Sequence, residues 1–116
     1  MPARILVVDD DAAIRRALVR TLRLADVVSA ASADEALREL SAHAFDAILT
    51  DYGIEPTNGV TLLQDVALAH PKVRRYLMSG FDADRFSSHL ASGLILGFYA
   101  KPLDVAALRS GVLQNE

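Results

Sequence analysis

Three carboxylates, one hydroxyl and one ammonium stand where short apolar runs of the sequence stop. Asp9-Asp10 follows Ile5-Leu6-Val7-Val8, Asp51 follows the run from Phe45 to Thr50, Ser79 follows Arg75-Tyr76-Leu77-Met78, and Lys101 follows Gly97-Phe98-Tyr99-Ala100. Carboxylates gathered in one place repel one another, which raises at least one pKa. A divalent cation relieves that repulsion. Oxygen ligands without His or Cys nearby suit a hard cation, and a site with few carboxylates suits Mg2+ that keeps several of its waters. A carboxylate is also a competent nucleophile toward phosphorus, forming an acyl phosphate. The charge on the transferred group then needs a metal, an ammonium and a hydroxyl around it. Phosphoryl transfer to a carboxylate uses all of these groups.

Taken one at a time, these residues are unremarkable in type. Asp9, Asp10 and Asp11 are a strand end that can also cap a helix. Asp51 is an ordinary loop carboxylate, Ser79 a turn residue and Lys101 a surface lysine. Their force lies in the elements that would gather them.

The apolar runs alternate with helical patterns. Ile5-Leu6-Val7-Val8 reads as a strand buried on both faces. Ile14, Ala17, Leu18, Thr21 and Leu22 recur at helical spacing. Val27 to Ala30 is a second strand, and Ser32 with Glu35 has the form of a capping box opening a second helix. The third strand ends at Asp51, a loop carries Gly53, Pro56, Asn58 and Gly59, and a third helix runs to His70-Pro71. A fourth strand ends at Ser79-Gly80, and Phe86 and Leu90 mark a fourth helix that Ser92-Gly93 ends. Gly97 to Ala100 is the fifth strand, and Asp104 caps a last helix through Leu108 and Val112. The expected fold is α/β: a doubly wound, five-stranded parallel sheet with five helices. In the flavodoxin-like order 2-1-3-4-5, the second strand is an edge and the four strands with polar ends are contiguous. Ligands of such sheets bind at the carboxyl ends of the strands.

Composition excludes several classes. A chain of 116 residues, 52% hydrophobic, supports one domain with a real core. There is no cysteine, hence no disulfide or thiolate metal site. Twelve basic against fifteen acidic residues do not make a nucleic-acid surface. No apolar run is long enough for a bilayer, and Met1-Pro2-Ala3-Arg4 does not open a secretory signal, so a cytoplasmic protein without membrane contact is expected. A glycine-rich phosphate loop after the first strand is missing, which argues against a flavin or dinucleotide protein. His43, His70 and His89 are scattered and read as surface or packing residues.

Ile5-Leu6-Val7-Val8-Asp9-Asp10, Asp51 with Gly59 eight positions on, Leu77-Met78-Ser79-Gly80 and Lys101-Pro102 together resemble a response-regulator receiver domain of two-component signal transduction, of the chemotaxis-regulator type. The resemblance covers residues 4–113, read as a single receiver domain. It implies that Asp51 accepts a phosphoryl group from a histidine kinase or histidine phosphotransfer protein, and that the domain is a switch rather than an enzyme. It implies Mg2+ held by Asp10, Asp51 and the backbone carbonyl of Gly53, with Asp9 acting mainly through water. Ser79 would turn toward the phosphoryl group, Lys101 would pair with it, and Phe98 would be the aromatic ring that moves with Ser79. It also implies a cis Lys101-Pro102 bond. No effector domain follows the fifth helix in this sequence, so a downstream effector protein, onward phosphotransfer or a domain outside this chain is expected to carry the output. The face of helix four, strand five and helix five is the expected homodimer contact. Arg16, Arg20 and Arg23 form one stripe of helix one, where family members meet histidine-bearing partners.

The sequence departs from the family in places. Glu55 stands where proline is usual, with Pro56 one later. Serine replaces the commoner threonine at 79, and phenylalanine the frequent tyrosine at 98. Gly53 and Phe81 occupy two positions that tune phosphoryl lifetime in the family. Neither has a polar side chain to orient water, so slow self-dephosphorylation is expected. Two other readings stand beside this one: a degenerate receiver that binds a partner without phosphorylation, and a Mg2+-dependent aspartyl phosphatase. The phosphatase would carry a second aspartate where Gly53 stands.

Overall fold

The computed structural model describes residues 2–114. Five parallel strands, β1 (Arg4–Val8), β2 (Asp26–Ala30), β3 (Ala47–Asp51), β4 (Arg74–Ser79) and β5 (Gly97–Ala100), form one sheet in the order β2-β1-β3-β4-β5. The helices are α1 (Ala12–Thr21), α2 (Ala33–Ala42), α3 (Gly59–Ala69), α4 (Ser87–Ala91) and α5 (Val105–Gln114). The doubly wound, flavodoxin-like order read from the strand ends is the order observed.

The alternation of side chains along each strand divides the interior in two. Leu6, Val8, Ile48 and Leu77 point to one face and pack with Ala36 and Leu40 of α2 and Leu62, Leu63 and Val66 of α3. Ile5, Val7, Leu49, Tyr76 and Met78 point to the other, against Leu18 of α1 and Leu108 and Val112 of α5. Each such large side chain contributes about 1.5–3 kcal/mol by leaving water. The three central strands therefore read as continuous apolar runs because both of their faces are covered.

Capping fixes where the helices start. Asp11 accepts from the N–H groups of Ala13 (2.8 Å) and Ile14 (3.4 Å). Asn58 accepts from Thr61 (2.9 Å), and Asp104 accepts from Ala107 (3.2 Å). Ser32 accepts from Glu35 as expected, but the Glu35 carboxylate reaches back to the N–H of Ala31 (2.9 Å), one residue before the cap. The fourth helix stands where expected, but Phe86 lies ahead of its α-helical part. A 3-10 turn, Ala83–Phe86, runs into the five-residue α4. Phe86 is buried, but Leu90 is 40% exposed, so the pair is not one buried stripe. Ser87 Oγ donates to the Asp84 carbonyl at 3.0 Å, a local bond that competes with regular helix. Gly93, at φ 81°, ends the segment in the left-handed conformation that favours glycine. Arg23 lies beyond the end of α1, so only Arg16 and Arg20 of the basic stripe are helical.

Candidate functional site

Parallel pairing delivers the final residues of β1, β3, β4 and β5 to one edge. Val8 is opposite Thr50, Asp51 opposite Met78, and Ser79 opposite Ala100. Asp9 and Lys101 are the next residues out on β1 and β5. One oxygen from each of Asp9, Asp10 and Asp51 lies within 4.8 Å of the others. The Lys101 ammonium joins this group, at 2.9 Å from Asp51 Oδ1 and 3.2 Å from Asp9 Oδ2. The structure thus gathers the three carboxylates and the lysine that the sequence scatters over 92 positions from Asp9 to Lys101.

Burial differs sharply within the cluster. Asp9 is 1% exposed, and its carboxylate is satisfied by Lys101 and by the N–H of Asp11 at 2.9 Å. Asp51 is partly buried and Asp10 is exposed. Burial pushes the Lys101 pKa down, but hydrogen bonding and charge from Asp51, then from Asp9, outweigh it and hold the ammonium above its ordinary value. Lys101 is therefore a fixed cation across the neutral range.

Asp51 presents its two oxygens differently. Oδ1 is taken by Lys101. Oδ2 lies beside Gly53, where a Cβ would stand 3.5 Å away. Gly53 is exposed and has no side chain to cover this oxygen. The loop is tied down by Tyr52 N–H to the Met78 carbonyl (2.9 Å) and Gly59 N–H to the Tyr52 carbonyl (2.7 Å). Gly59 has no substitute there, because a Cβ would overlap the Asp51 carbonyl oxygen.

Ser79 is 2% exposed and its Oγ accepts from the N–H of Phe81 at 3.0 Å. It stands at the same edge as the carboxylates, with its hydroxyl engaged by its own loop. Phe98 is half-buried and stacks on Phe86, ring centroids 5.2 Å apart. Lys101-Pro102 is cis, as the resemblance implies, and so is Glu55-Pro56. His43 and His70 cap the carboxyl ends of α2 and α3, at the opposite edge of the sheet.

Two features were missed from sequence. Arg15 donates to the Asp9 carbonyl at 2.6 Å, so it belongs to the acidic loop and not to the outer basic stripe. Tyr52, which follows Asp51, and Phe81, two residues after Ser79, meet edge to face at 5.9 Å, with the Arg85 guanidinium 4.0 Å over Phe81. Aromatic residues in both loops were the available signal for the second.

The donor set fits a hard dication: three carboxylates converge with one ammonium among them, leaving excess negative charge and oxygen ligands only.

A family model described as response regulator receiver domain matches residues 5–113. The sensor kinase CckA of Brucella abortus is 29% identical over 115 residues, covering 95% of this chain and 12% of that protein. The response regulator protein FleR of Pseudomonas aeruginosa is 32% identical over 111 residues, covering 93% of this chain and 23% of that protein. The chain spans less than a quarter of the length of either curated relative. A response regulator receiver protein from Pseudomonas putida, of known structure, superposes with TM-score 0.89 at 26% identity, covering 99% of this chain and 98% of that one. With the family match running through every strand of the sheet, the chain belongs to the response regulator receiver domain family of two-component systems.

Proposed function

We propose that residues 4–113 act as a phosphorylation-controlled switch, with Asp51 as the phosphoryl acceptor and a phosphorylated histidine of a kinase or phosphotransfer protein as donor. The observation that carries this reading is the asymmetry of Asp51: Lys101 holds Oδ1 at 2.9 Å, and Oδ2 lies beside the bare Cα of Gly53. In the transfer, an Asp51 oxygen forms a bond to phosphorus as the phosphorus–nitrogen bond of the donor breaks, and the imidazole leaves and takes up a proton. Lys101 neutralises charge on the transferred group. Asp9, Asp10, Asp51 and the Gly53 carbonyl are the groups to hold Mg2+, which when bound supplies further charge neutralisation. Ser79 supplies a hydroxyl to the phosphoryl group once it is released from Phe81.

The reading is of a switch and not a turnover enzyme. Gly53 offers no carboxylate to activate a second substrate, which weighs against the aspartyl phosphatase. Phe98 is the ring proposed to move with Ser79, and a downstream effector reads the change on the face of α4, β5 and α5. Leu90 and Leu96 are exposed on that side (40% and 51%), which also suits a homodimer contact. A cytoplasmic location accords with a histidine-kinase donor; among the described residues no helix is long and apolar enough to cross a membrane.

The test is intact mass after incubation with Mg2+ and a small acyl phosphate. Wild type gains one phosphoryl group and Asp51→Asn gains none. No gain by folded, metal-supplied wild type would instead support a phosphorylation-independent binding module.

A further inference from the structure

Asp9 is fixed at several points. Its N–H donates to the Ala30 carbonyl (3.2 Å), Oδ1 accepts from Asp11 and Oδ2 from Lys101. Its carbonyl oxygen accepts from Arg15 Nη1 at 2.6 Å. That carbonyl is half of the Asp9–Asp10 peptide plane, and the plane moves as a unit. Its orientation sets the direction in which Asp10 leaves the chain. Asp10 itself is exposed, so the buried interior does not hold its side chain.

Arg15 can do this because α1 starts where it does. Asp11 caps the helix, and the Arg15 N–H closes the first turn on the Asp11 carbonyl at 3.1 Å. The side chain then reaches back over that turn to the loop. A charge-assisted bond this short is of the stronger class. The neighbouring Arg16 has the same charge but is exposed.

We infer that Arg15 is a positioning residue for the metal centre: by holding the Asp9–Asp10 peptide it keeps the Asp10 carboxylate turned toward Asp51. The inference rests on the metal site proposed above. It is separable from a simple charge effect, because the two have opposite signs. A guanidinium beside a dication site repels the dication, so charge alone predicts tighter Mg2+ binding when Arg15 is removed. Loss of a positioning group predicts weaker binding, by about 10-fold or more.

The experiment is a Mg2+ titration of the apo-protein followed by tyrosine fluorescence, since the chain has no Trp and Tyr52 adjoins Asp51. Arg15→Ala is expected to bind Mg2+ about 10-fold more weakly. Arg15→Lys, which keeps the charge, falls between it and wild type. Arg16→Ala matches wild type or binds slightly tighter. Wild-type or tighter affinity in folded Arg15→Ala would overturn the inference and leave the proposed function intact. Should Arg15→Ala not fold, wild-type affinity in Arg15→Lys would overturn it equally. A wild type that binds no Mg2+ would overturn the metal site and this inference together.

Discussion

Lys101 is the cation around which the acidic crevice is built. It reaches both the fully buried Asp9 and the partly buried Asp51, so it competes with any dication for the same carboxylates. Lys101→Met should therefore bind Mg2+ more tightly than wild type while accepting the phosphoryl group about 10²-fold more slowly, the usual loss for one charge-stabilising donor. Fluorescence titration and the rate of mass gain read the two effects separately. Uptake at the wild-type rate would show that Lys101 has no part in the transfer. Gly53 and Phe81 bear on the next step. Neither side chain can direct water at the acyl phosphate, and Phe81 is pinned at its N–H by Ser79 and stacked under Arg85. The phosphoryl group on isolated, Mg2+-loaded protein should outlast many minutes; decay within seconds would refute slow hydrolysis. These residue types were legible in the sequence because each ends an apolar run. Arg15 was not, because a side chain that bonds to a backbone carbonyl leaves no pattern of spacing to read.

The elements differ in how much change they tolerate. A Cβ at Gly59 meets backbone at Asp51 and Tyr52, which cannot move without shifting the loop that follows β3. A Cβ at Gly111 meets the hydroxyl of Tyr99, the far end of a half-buried ring. Gly59→Ala should cost about 1–3 kcal/mol. Gly111→Ala should cost less, because a helix-propensity gain of about 1 kcal/mol offsets the displaced ring. Urea midpoints of the two variants test the order, and a larger loss in Gly111→Ala would contradict it. Segment 83–93 is the weakest element of the sheet's outer layer. α4 buries none of its own residues and is only five residues long. Its amides should exchange with deuterium well before those of α3, which buries Leu62, Leu63 and Val66. Equal protection would show a helix anchored by contacts not evident here. The fourth helix was legible in the sequence, but its 3-10 start at Phe86 was not. Phe86 and Leu90 have helical spacing, but only Phe86 is buried, and Ser87 and Asp84 favour a local bond over a regular turn.

At the scale of the whole molecule, the sheet does two jobs with one alternation. Side chains of β1, β3 and β4 fill the layers above and below it, and their terminal residues form the crevice at its edge. That is why the fold was readable: strands buried on both faces are continuous apolar runs, and a run must end somewhere. What the sequence could not display is the row of rings Phe98, Phe86, Tyr52 and Phe81, with successive centroids at 5.2, 5.2 and 5.9 Å. The row joins β5 to the loop beside Asp51, and its members come from β5, the 3-10 turn 83–86 and the loops after β3 and β4. Offset and edge-on contacts of this kind hold rings in definite relative positions. Any inward movement of Phe98 must therefore be accommodated by Phe86, and so by the weak segment that carries it.

The central claim is that Asp51, and no other carboxylate of the cluster, becomes an acyl phosphate. Borohydride reduction converts an aspartyl phosphate to homoserine, which marks the residue permanently. After treatment with Mg2+ and a small acyl phosphate, then borohydride, peptide mapping should find homoserine at position 51 and unchanged aspartate at positions 9, 10 and 11. Homoserine at Asp9 or Asp10, or none in a protein that has bound Mg2+, would contradict the account.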